Sequence, residues 1–423
     1  MSLRSAHPDA LGSLLDEPID GRYKAFPAAE GVTIGAVGRM GWNLLRGDLL
    51  LPALVLKESA LAHNIALMAR WCEERGILHA PHGKTTMAPQ LFERQLDAGA
   101  WAMTAATASQ VRTYRAFGVR RILLANELVE TAALRWLARE LAGDPELDFY
   151  CLVDSVAAVE SMTEALSGSE RPVQVLVEIG FEGGRTGCRT IAEAVDVAAA
   201  VARSPALELV GTEGYEGIIG GDRSDSAIAA VDDFLRRLRD ATVELERRDA
   251  FGGRESVIVS AGGSAYFDRV AEMLGADWSF DRAIDLVVRA GGYVTHDVGL
   301  YERSSPLARE LRPALEAWGA VLSRPEPGLA LVGLGKRDVS HDVDLPLPQL
   351  VQGPDGLRKA TGIAVTGLND QHAYVRVSPD DPLGVGDLLA CGISHPCTAF
   401  DKWRLIPVVD DDYTVIDAIA TFF

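Results

Sequence analysis

The sequence is short of positive charge and of long apolar runs. Lys and Arg number 41 against 60 Asp and Glu, which gives a net charge of −19. This deficit opposes binding to nucleic acid or to an anionic membrane surface. No run reaches the ~18 apolar residues expected of a membrane-spanning helix, and the first residues lack the apolar core of a signal peptide. We therefore expect a cytosolic protein that acts on small molecules.

Cysteine is also scarce, with five residues in a chain of 423. An odd and sparse set does not fit the dense disulfide pairing of secreted domains, so we expect reduced and mostly buried thiols. At about 150 residues per domain, the length predicts two domains or three. The cysteines are Cys72, Cys151, Cys188, Cys391 and Cys397.

Short β-branched runs alternate with alanine-rich amphipathic stretches, which is typical of parallel sheets with helical crossovers. Eight strands with crossovers favour a closed (β/α)₈ barrel over a doubly wound sheet, which usually has about five or six strands. The predicted strands are residues 77–82, 100–104, 121–125, 147–153, 173–179, 207–212, 256–260 and 284–289.

A second, β-rich domain follows the barrel, so the fold class is α/β with two domains. Helical periodicity fades beyond about Arg309, and Pro and Gly separate short extended runs such as LALVGLG, HAYVRV and GDLLACGI. The earlier run PALVLK (52–57) is assigned to the same domain, and DLPLPQLVQGPDG is predicted to be a turn-rich spacer. The expected boundaries are an N-terminal extension packing on the β domain (1–50), the barrel (51–300) and the β-rich domain (301–423).

Polar residues at strand ends are the first candidates for chemistry in a barrel. The segment PHGKTT follows the first predicted strand and places Lys84 there, beside a glycine that permits close backbone approach. Such a lysine could form a Schiff base with a carbonyl compound, or it could be an ordinary solvated lysine. The residue alone does not decide between these alternatives.

Two glycine pairs follow the last two predicted barrel strands. They occur in SAGGS, with Gly262, Gly263 and Ser264, and in RAGGY, with Gly292 and Tyr293. Glycine turns that open a helix leave backbone N–H groups for a phosphate, and barrels commonly place a phosphate at these two loops. Ordinary turns can also contain such pairs, so these loops could form a phosphate site or could be plain turns.

A histidine and a cysteine lie two residues apart near the C-terminus. His395 and Cys397 would project the same way on an extended segment and could share a metal ion. Imidazole with thiolate suits zinc, although a complete site needs further ligands. Asp370 and His372 are other possible contributors, and a buried cysteine beside an unrelated histidine is the alternative.

Together these segments resemble the fold type III pyridoxal-phosphate (PLP) enzymes related to alanine racemase. The similarity is greatest to their D-threonine aldolase and D-serine dehydratase branch, and it covers most of the chain. PHGKTT resembles the signature whose lysine holds PLP, which implies this role for Lys84. EIGFEGGRTGC and GTEGYEG resemble the segments beside the cofactor ring, which implicates Arg185 and Tyr215. SAGGS and GGYVTHD resemble the two phosphate loops.

The segment GDLLACGISHPCTAFDKW resembles the metal-binding end of this branch, which implies that His395 and Cys397 are metal ligands. The aldolases typically have an aspartate as the second ligand, whereas His-x-Cys is similar to the zinc-dependent D-serine dehydratases. Thr86 and Gly83 depart from the family pattern, as does GGYVTHD in place of Pro-Gly-x-Tyr.

The resemblance therefore implies a PLP- and zinc-dependent dehydratase that converts a β-hydroxy D-amino acid such as D-serine to a 2-keto acid and ammonia. D-threonine aldolase-type cleavage and amino-acid racemisation are the alternatives, and a non-catalytic PLP carrier ranks last. The family also implies a homodimer.

Overall fold

The computed structural model describes residues 9–27, 30–275, 278–280 and 282–423. Positions 1–8 and 28–29 of the expected N-terminal extension, and positions 276, 277 and 281 of the expected barrel, lie outside the described residues. The chain divides into two compact units. The barrel unit contains residues 69–84 and 95–291, and the second unit contains the described residues of 8–68, 85–94 and 292–423.

The strands are numbered in chain order. They are β1 Ala53–Lys57, β2 Leu78–His79, β3 Met103–Ala105, β4 Arg121–Glu127, β5 Asp148–Val153, β6 Val173–Ile179, β7 Leu207–Gly214, β8 Ser256–Ala261, β9 Ala283–Val288, β10 Leu315–Glu326, β11 Leu329–Val332, β12 Leu347–Gly353, β13 Gly356–Lys359, β14 Ala364–Leu368, β15 Ala373–Arg376, β16 Leu388–Gly392, β17 Leu405–Val409 and β18 Val415–Ala420.

The helices are α1 Asp9–Leu15, α2 Glu58–Glu73, α3 Pro89–Asp97, α4 Ala108–Ala116, α5 Thr131–Gly143, α6 Val156–Ala165, α7 Ile191–Arg203, α8 Asp225–Arg247, α9 Phe267–Leu274, α10 Leu300–Ser304 and α11 Cys397–Phe400. Short 3₁₀ helices cover Ile34–Arg39, Gly83–Thr85 and Gly292–Val294. Among the described helices, none has the length and apolar character needed to cross a bilayer.

Eight strands of the barrel unit form one sheet in the order β2-β9-β8-β7-β6-β5-β4-β3, and every pairing in it is parallel. Each corresponds to one of the eight predicted runs, so the predicted strands are confirmed. The first predicted run shortens to β2, because Pro81 has no N–H to continue the ladder. The α/β class and the barrel with its second sheet are confirmed.

The two outer strands of this sheet, β2 and β3, are also joined to each other. The N–H of Trp101 donates to the carbonyl of His79 at 2.7 Å, and that of Thr104 donates to Pro81 at 2.9 Å. His82 and Thr104 form a parallel bridge one step further along. These bonds close the sheet into a barrel, so the carboxyl ends of all eight strands lie at one rim.

A buried cluster draws a side chain from, or next to, every strand of the barrel. The core is packed, and the partly buried Trp101 lies against it with its ring centre 5.5 Å from that of Tyr150. The cluster consists of Ala80, Ala102, Leu123, Tyr150, Leu152, Leu176, Val210, Ile258 and Val287.

Several crossover helices begin at side-chain caps that satisfy their first N–H groups. Thr107 accepts from Gln110 at α4, Ser155 accepts from Ala158 at α6, and Ser224 accepts from Ala227 at α8. Helix α7 has a capping box between Thr190 and Glu193. All five cysteines are free; four are buried and Cys397 is half-buried, which confirms the expectation from composition.

The second unit is built on a mixed sheet in the order β13-β12-β16-β10-β1-β17-β18, with β11, β15 and β14 extending from β10. The predicted assignment of 52–57 to this domain is confirmed, because β1 pairs with β10 and β17. The runs LALVGLG, HAYVRV and GDLLACGI form β11, β15 and β16. The N-terminal segment also contacts this unit, for example through a bridge between Asn43 and Thr414.

One spacer prediction was wrong, since DLPLPQLVQGPDG contains strand β12. Pro348 pairs with Cys391 of β16, while β13 pairs only with residues from Leu350 onward. Proline is tolerated in a strand where no second neighbour requires its missing N–H. The proline pattern therefore hid a strand that is paired on one side at this position.

A close contact between β7 and β8 leads to a prediction about barrel stability. A Cβ at Gly211 would overlap the carbonyl oxygen of Ile258 in β8. We expect Gly211→Ala to lower the free energy of unfolding by about 2 kcal/mol, because the barrel backbone must move to admit the methyl group. Denaturant unfolding measures the effect, with Gly221→Ala as the control because its Cβ would meet nothing within 4 Å. Equal stability of the two variants would contradict this prediction.

Candidate active site

Lys84 lies in the 3₁₀ turn Gly83–Thr85, just after β2 at the rim of the barrel, and is half-buried. His82 precedes it and has a buried Nδ1 without a hydrogen-bond partner. Burial lowers the pKa of His82 well below 6.5, and the positive charges of Lys84, Arg289 and Arg185 lower it further. The His82 imidazole is therefore neutral at physiological pH.

Three cationic side chains thus lower the pKa of one rim residue, His82, in a chain whose net charge is −19. Two of them, Lys84 and Arg185, are sequence-predicted site residues, and Arg289 is not. Converging positive charges at strand ends favour an anionic group such as a phosphate. A primary amine beside such a group fits a carbonyl compound that carries a phosphate.

Arg185, Tyr215 and Gly263 are brought together as the sequence predicts. The guanidinium of Arg185 lies 4.6 Å from the centre of the Tyr215 ring. The same ring lies against Gly263, where a Cβ would stand 2.9 Å from Cε2 of Tyr215. The glycine is therefore required for the close approach of backbone and ring. Cation–π contact and packing fix the tyrosine at the rim.

The glycine loop after β8 has an unpredicted partner. Glu216 accepts hydrogen bonds from the N–H of Gly262 at 3.0 Å and from the N–H of Gly263 at 2.8 Å. Its side chain is fully buried. The two N–H groups that the sequence suggested for a phosphate therefore bind a carboxylate of the chain itself. The available signal was the second acidic residue of GTEGYEG, but the pattern does not show in which direction its side chain points.

A buried ion pair joins the ends of two barrel strands. Arg289 lies 2.5 Å from Glu213, and it also donates to Ser260 and to the carbonyl of Gly214. Burial raises the pKa of Glu213, although the charge of Arg289 acts to lower it. Sequence reasoning missed both residues: Glu213 lies in GTEGYEG and Arg289 in RAGGY, but neither pattern shows that the two side chains pair.

Three acidic residues at the ends of β4, β5 and β6 form a further cluster. Glu127, Asp154 and Glu178 each offer an oxygen within 4.8 Å of the others. Thr186 donates to Glu178, and the N–H of Gly187 donates to Asp154. Burial raises the pKa of Glu127 to about 9, and the neighbouring Glu178 carboxyl adds to this. Glu127 is therefore protonated at neutral pH.

Gly292 and Tyr293 belong to the second unit, where they open the buried 3₁₀ turn Gly292–Val294. A Cβ at Gly292 would overlap the ring of Tyr301. The turn therefore needs glycine for close packing. Tyr293 is almost fully buried.

His395 and Cys397 lie in hydrogen-bond contact where β16 leads into α11. The hydrogen bond with Cys397 is the largest of the effects that raise the pKa of His395 to about 9, and Asp342 contributes on the other side. Thr85 Oγ lies 3.4 Å from the Cys397 sulfur. Imidazole nitrogen and thiol sulfur side by side form a donor set suited to zinc.

Two aspartates that sequence reasoning missed hold the histidine of this pair. The Nδ1–H of His395 donates to Asp342 at 2.6 Å, and Thr398 donates to the second oxygen of Asp342 at 2.7 Å. The backbone N–H of His395 donates to Asp297 at 3.0 Å. A carboxylate on one ring nitrogen leaves the other nitrogen to face a ligand, which is the common arrangement at metal sites.

The other suggested contributors, Asp370 and His372, are exposed in the turn between β14 and β15. The Asp370 carboxylate lies 3.6 Å from the guanidinium of Arg337. The acidic partner of His395 is thus Asp342, in the segment SHDVD, and not Asp370. The acidic residues and the histidine of SHDVD were the sequence signal for this partner.

The closed barrel with a lysine, an arginine and a glycine loop at its rim defines a barrel enzyme. The model of the family described as "Alanine racemase, N-terminal domain" matches residues 56–277, more than half of the chain. The chain therefore belongs to the alanine racemase-like family of fold type III PLP enzymes. The model described as "Putative serine dehydratase domain" matches residues 314–409, which include His395 and Cys397.

Two characterised relatives are similar in sequence. A D-threonine aldolase of Arthrobacter sp. is 25% identical over 90% of this chain and 94% of its own. A D-threo-3-hydroxyaspartate dehydratase of Delftia sp. (strain HT23) is 28% identical over 32% of this chain and 35% of its own.

Solved structures confirm the fold. A D-threonine aldolase from Filomicrobium marinum has a TM-score of 0.75 at 24% identity, covering 91% of this chain and 98% of its own. The Delftia sp. HT23 D-threo-3-hydroxyaspartate dehydratase has a TM-score of 0.73 at 23% identity, covering 90% and 99%. In one further structure of such a dehydratase, alanine replaces a histidine. In another, alanine replaces a cysteine two positions further along, and that structure is of the metal-free form.

The raised pKa of Glu127 leads to a prediction about pH dependence. Between about pH 4.5 and 9 the folded protein keeps a proton that the unfolded chain releases, so this group lowers stability as the pH rises. Glu127→Gln cannot titrate, and we expect its free energy of unfolding to fall less than that of the wild type between pH 5 and 9. Some decrease will remain, because Glu213 also has a raised pKa.

Denaturant unfolding at a series of pH values measures this difference. The control is Glu164→Gln, which removes an exposed carboxyl from helix α6. The control should follow the wild-type pH profile, and a Glu127→Gln profile parallel to wild type would disprove the raised pKa of Glu127.

Proposed function

We propose that this protein is a PLP- and zinc-dependent dehydratase that converts a β-hydroxy D-amino acid such as D-serine to a 2-keto acid and ammonia. The observation that carries the proposal is the contact between His395 and Cys397 within the segment matched by the serine dehydratase model. The relatives, an aldolase and a dehydratase of β-hydroxy D-amino acids by name, support the broader class of PLP-dependent lyases.

The rim of the barrel supplies the groups that would hold PLP. Lys84 would bind its aldehyde, Arg185 and Tyr215 would flank its ring, and the loop of Gly262, Gly263 and Ser264 would face its phosphate. The positive charges of Lys84, Arg185 and Arg289 support this assignment, since each acts on His82. Gly292 and Tyr293 stay a prediction from the sequence resemblance. When bound, PLP supplies an electron sink for negative charge at the substrate Cα.

In this reaction the Lys84 amine takes the proton from the substrate Cα at Nζ. Loss of hydroxide from Cβ then gives an enamine, which tautomerises and is hydrolysed by water to the keto acid and ammonia. D-serine would thus give pyruvate. His82 stays neutral beside Lys84, so it adds no positive charge that would oppose protonation of the amine.

His395 and Cys397 would hold a divalent metal whose Lewis acidity assists departure of the β-hydroxyl as hydroxide. The thiolate favours zinc over harder ions. The His-x-Cys spacing also matches that of the substituted histidine and cysteine in the dehydratase variants, and the structure of the cysteine variant is of the metal-free form. The acidic cluster of Glu127, Asp154 and Glu178 is less suited to zinc because its donors are all carboxyl oxygens.

The second candidate is D-threonine aldolase activity, which the match to the Arthrobacter aldolase over 90% of this chain favours. An aldolase would use the same PLP site and the same metal site. It would remove the proton of the β-hydroxyl, so that the Cα–Cβ bond breaks and an aldehyde leaves. The serine dehydratase match and the cysteine ligand favour dehydration.

Incubation of the PLP- and zinc-loaded protein with D-threonine separates these functions by product. We expect 2-oxobutyrate and ammonia, identified by mass spectrometry and a coupled ammonia assay, because hydroxide leaves from Cβ. Glycine with acetaldehyde would establish the aldolase, and the Cα epimer would establish a racemase.

Two variants serve as controls for this assignment. Lys84→Ala should lose the visible absorbance of bound PLP. Cys397→Ala should keep that absorbance but lose zinc and product formation. Full activity of metal-free Cys397→Ala would contradict the metal role.

The hydrogen bond from His395 to Asp342 predicts a role for this aspartate in zinc affinity. Asp342→Asn removes the charge that orients the imidazole, so we expect zinc affinity to fall roughly 10-fold to 100-fold. Competition with a chromogenic chelator measures it without reference to activity. Asp370→Asn is the control and should bind zinc like the wild type. A loss in Asp370→Asn, with none in Asp342→Asn, would reverse the assignment.

A further inference from the structure

We infer that Glu216 is a positioning residue that holds the glycine loop after β8 in the conformation that receives the cofactor phosphate. The inference rests on the PLP binding of the proposed function. It assigns a role to a buried carboxylate that the sequence resemblance does not mention. Glu216 would act through the loop and would not contact the phosphate itself.

Glu216 contacts the glycine loop from the interior of the barrel unit. Both carboxylate oxygens are used, one for the N–H of Gly262 and the other for the N–H of Gly263. The side chain is fully buried, so water does not compete for these bonds. Charge-assisted hydrogen bonds to backbone N–H groups are roughly twice as strong as neutral ones. Glu216 therefore fixes two successive peptide groups.

The loop needs such a support because its backbone is unusual. Gly262 has a φ of +89°, in the left-handed region that glycine adopts readily. Its carbonyl accepts from the N–H of Arg289 at 2.9 Å, which ties the loop to the end of β9. A glycine pair without side-chain bonds would sample many conformations, and each would place Ser264 differently.

The other side of the loop is set by Tyr215. Its ring lies against Gly263 and carries the guanidinium of Arg185 at 4.6 Å. Tyr215 and Glu216 are consecutive residues, so one short segment after β7 supports the loop with a ring on one residue and a carboxylate on the next. Since the N–H groups of Gly262 and Gly263 point to Glu216, a phosphate must be held by the remaining groups of the loop, beginning with Ser264.

Comparison of PLP with pyridoxal, which lacks the phosphate, tests this role. Apoprotein of the full chain is titrated with each compound, and binding is followed by absorbance and protein fluorescence. In Glu216→Gln the amide keeps one acceptor oxygen and turns its NH₂ toward the other backbone N–H. We expect PLP affinity to fall about tenfold, the loss of one good hydrogen bond, while pyridoxal affinity stays at the wild-type value.

Glu127→Gln is the matched control, because it replaces another rim carboxyl that does not contact the glycine loop. It should bind both compounds like the wild type, and circular dichroism checks that both variants fold. Unchanged or tighter PLP binding by Glu216→Gln would overturn the inference, as would an equal loss for PLP and pyridoxal. A wild-type protein that binds neither compound would contradict the proposed function itself.

Discussion

Closure of the parallel sheet is the constraint on which the barrel unit depends. Backbone hydrogen bonds from Trp101 and Thr104 to the segment around His79 and Pro81 join the two outer strands. An open sheet would leave β2 and β3 as edge strands and would separate Lys84, which follows β2, from the ends of β3 and β4. In the closed barrel all eight carboxyl ends meet at one rim, so residues about 200 positions apart in sequence act on the same groups.

This convergence brings charged side chains together in a buried part of the barrel rim. Lys84, Arg185 and Arg289 all lower the pKa of His82, while Glu178 and Glu216 raise the pKa of Glu213. Burial of such groups is costly unless they pair or change protonation. The rim shows both responses, with an ion pair at Arg289 and Glu213 and a protonated carboxyl at Glu127. Perturbed pKa values cluster at functional sites, which agrees with the location of catalytic groups in barrels.

The strands and the groups directly after them could be predicted from sequence, because strand periodicity and strand-end glycines are local signals. Lys84 and the glycine loop were found in this way, whereas Arg185 and Tyr215 were implied by the family resemblance of EIGFEGGRTGC and GTEGYEG. Glu216, Arg289 and Asp342 were not found, because their importance depends on which groups face them after folding. Glu216 follows Tyr215 directly, yet nothing local shows that its carboxylate reaches residues 46 and 47 positions ahead. Strand β12 was missed because proline is a local signal and its tolerance depends on the neighbouring strand.

His395, in the second unit, likewise depends on partners that are distant in sequence. His395 has a φ of +63°, which is unfavourable for a residue with a side chain and costs about 1–2 kcal/mol. Asp297 opposes this cost: one oxygen accepts the His395 N–H, and the other accepts from Gly299, Tyr301 and Glu302. Asp342 then fixes the ring through Nδ1. Backbone and ring of His395 are thus each held by a carboxylate. A residue kept in a strained conformation by two separate partners is held for its position, and here that position is contact with the Cys397 sulfur.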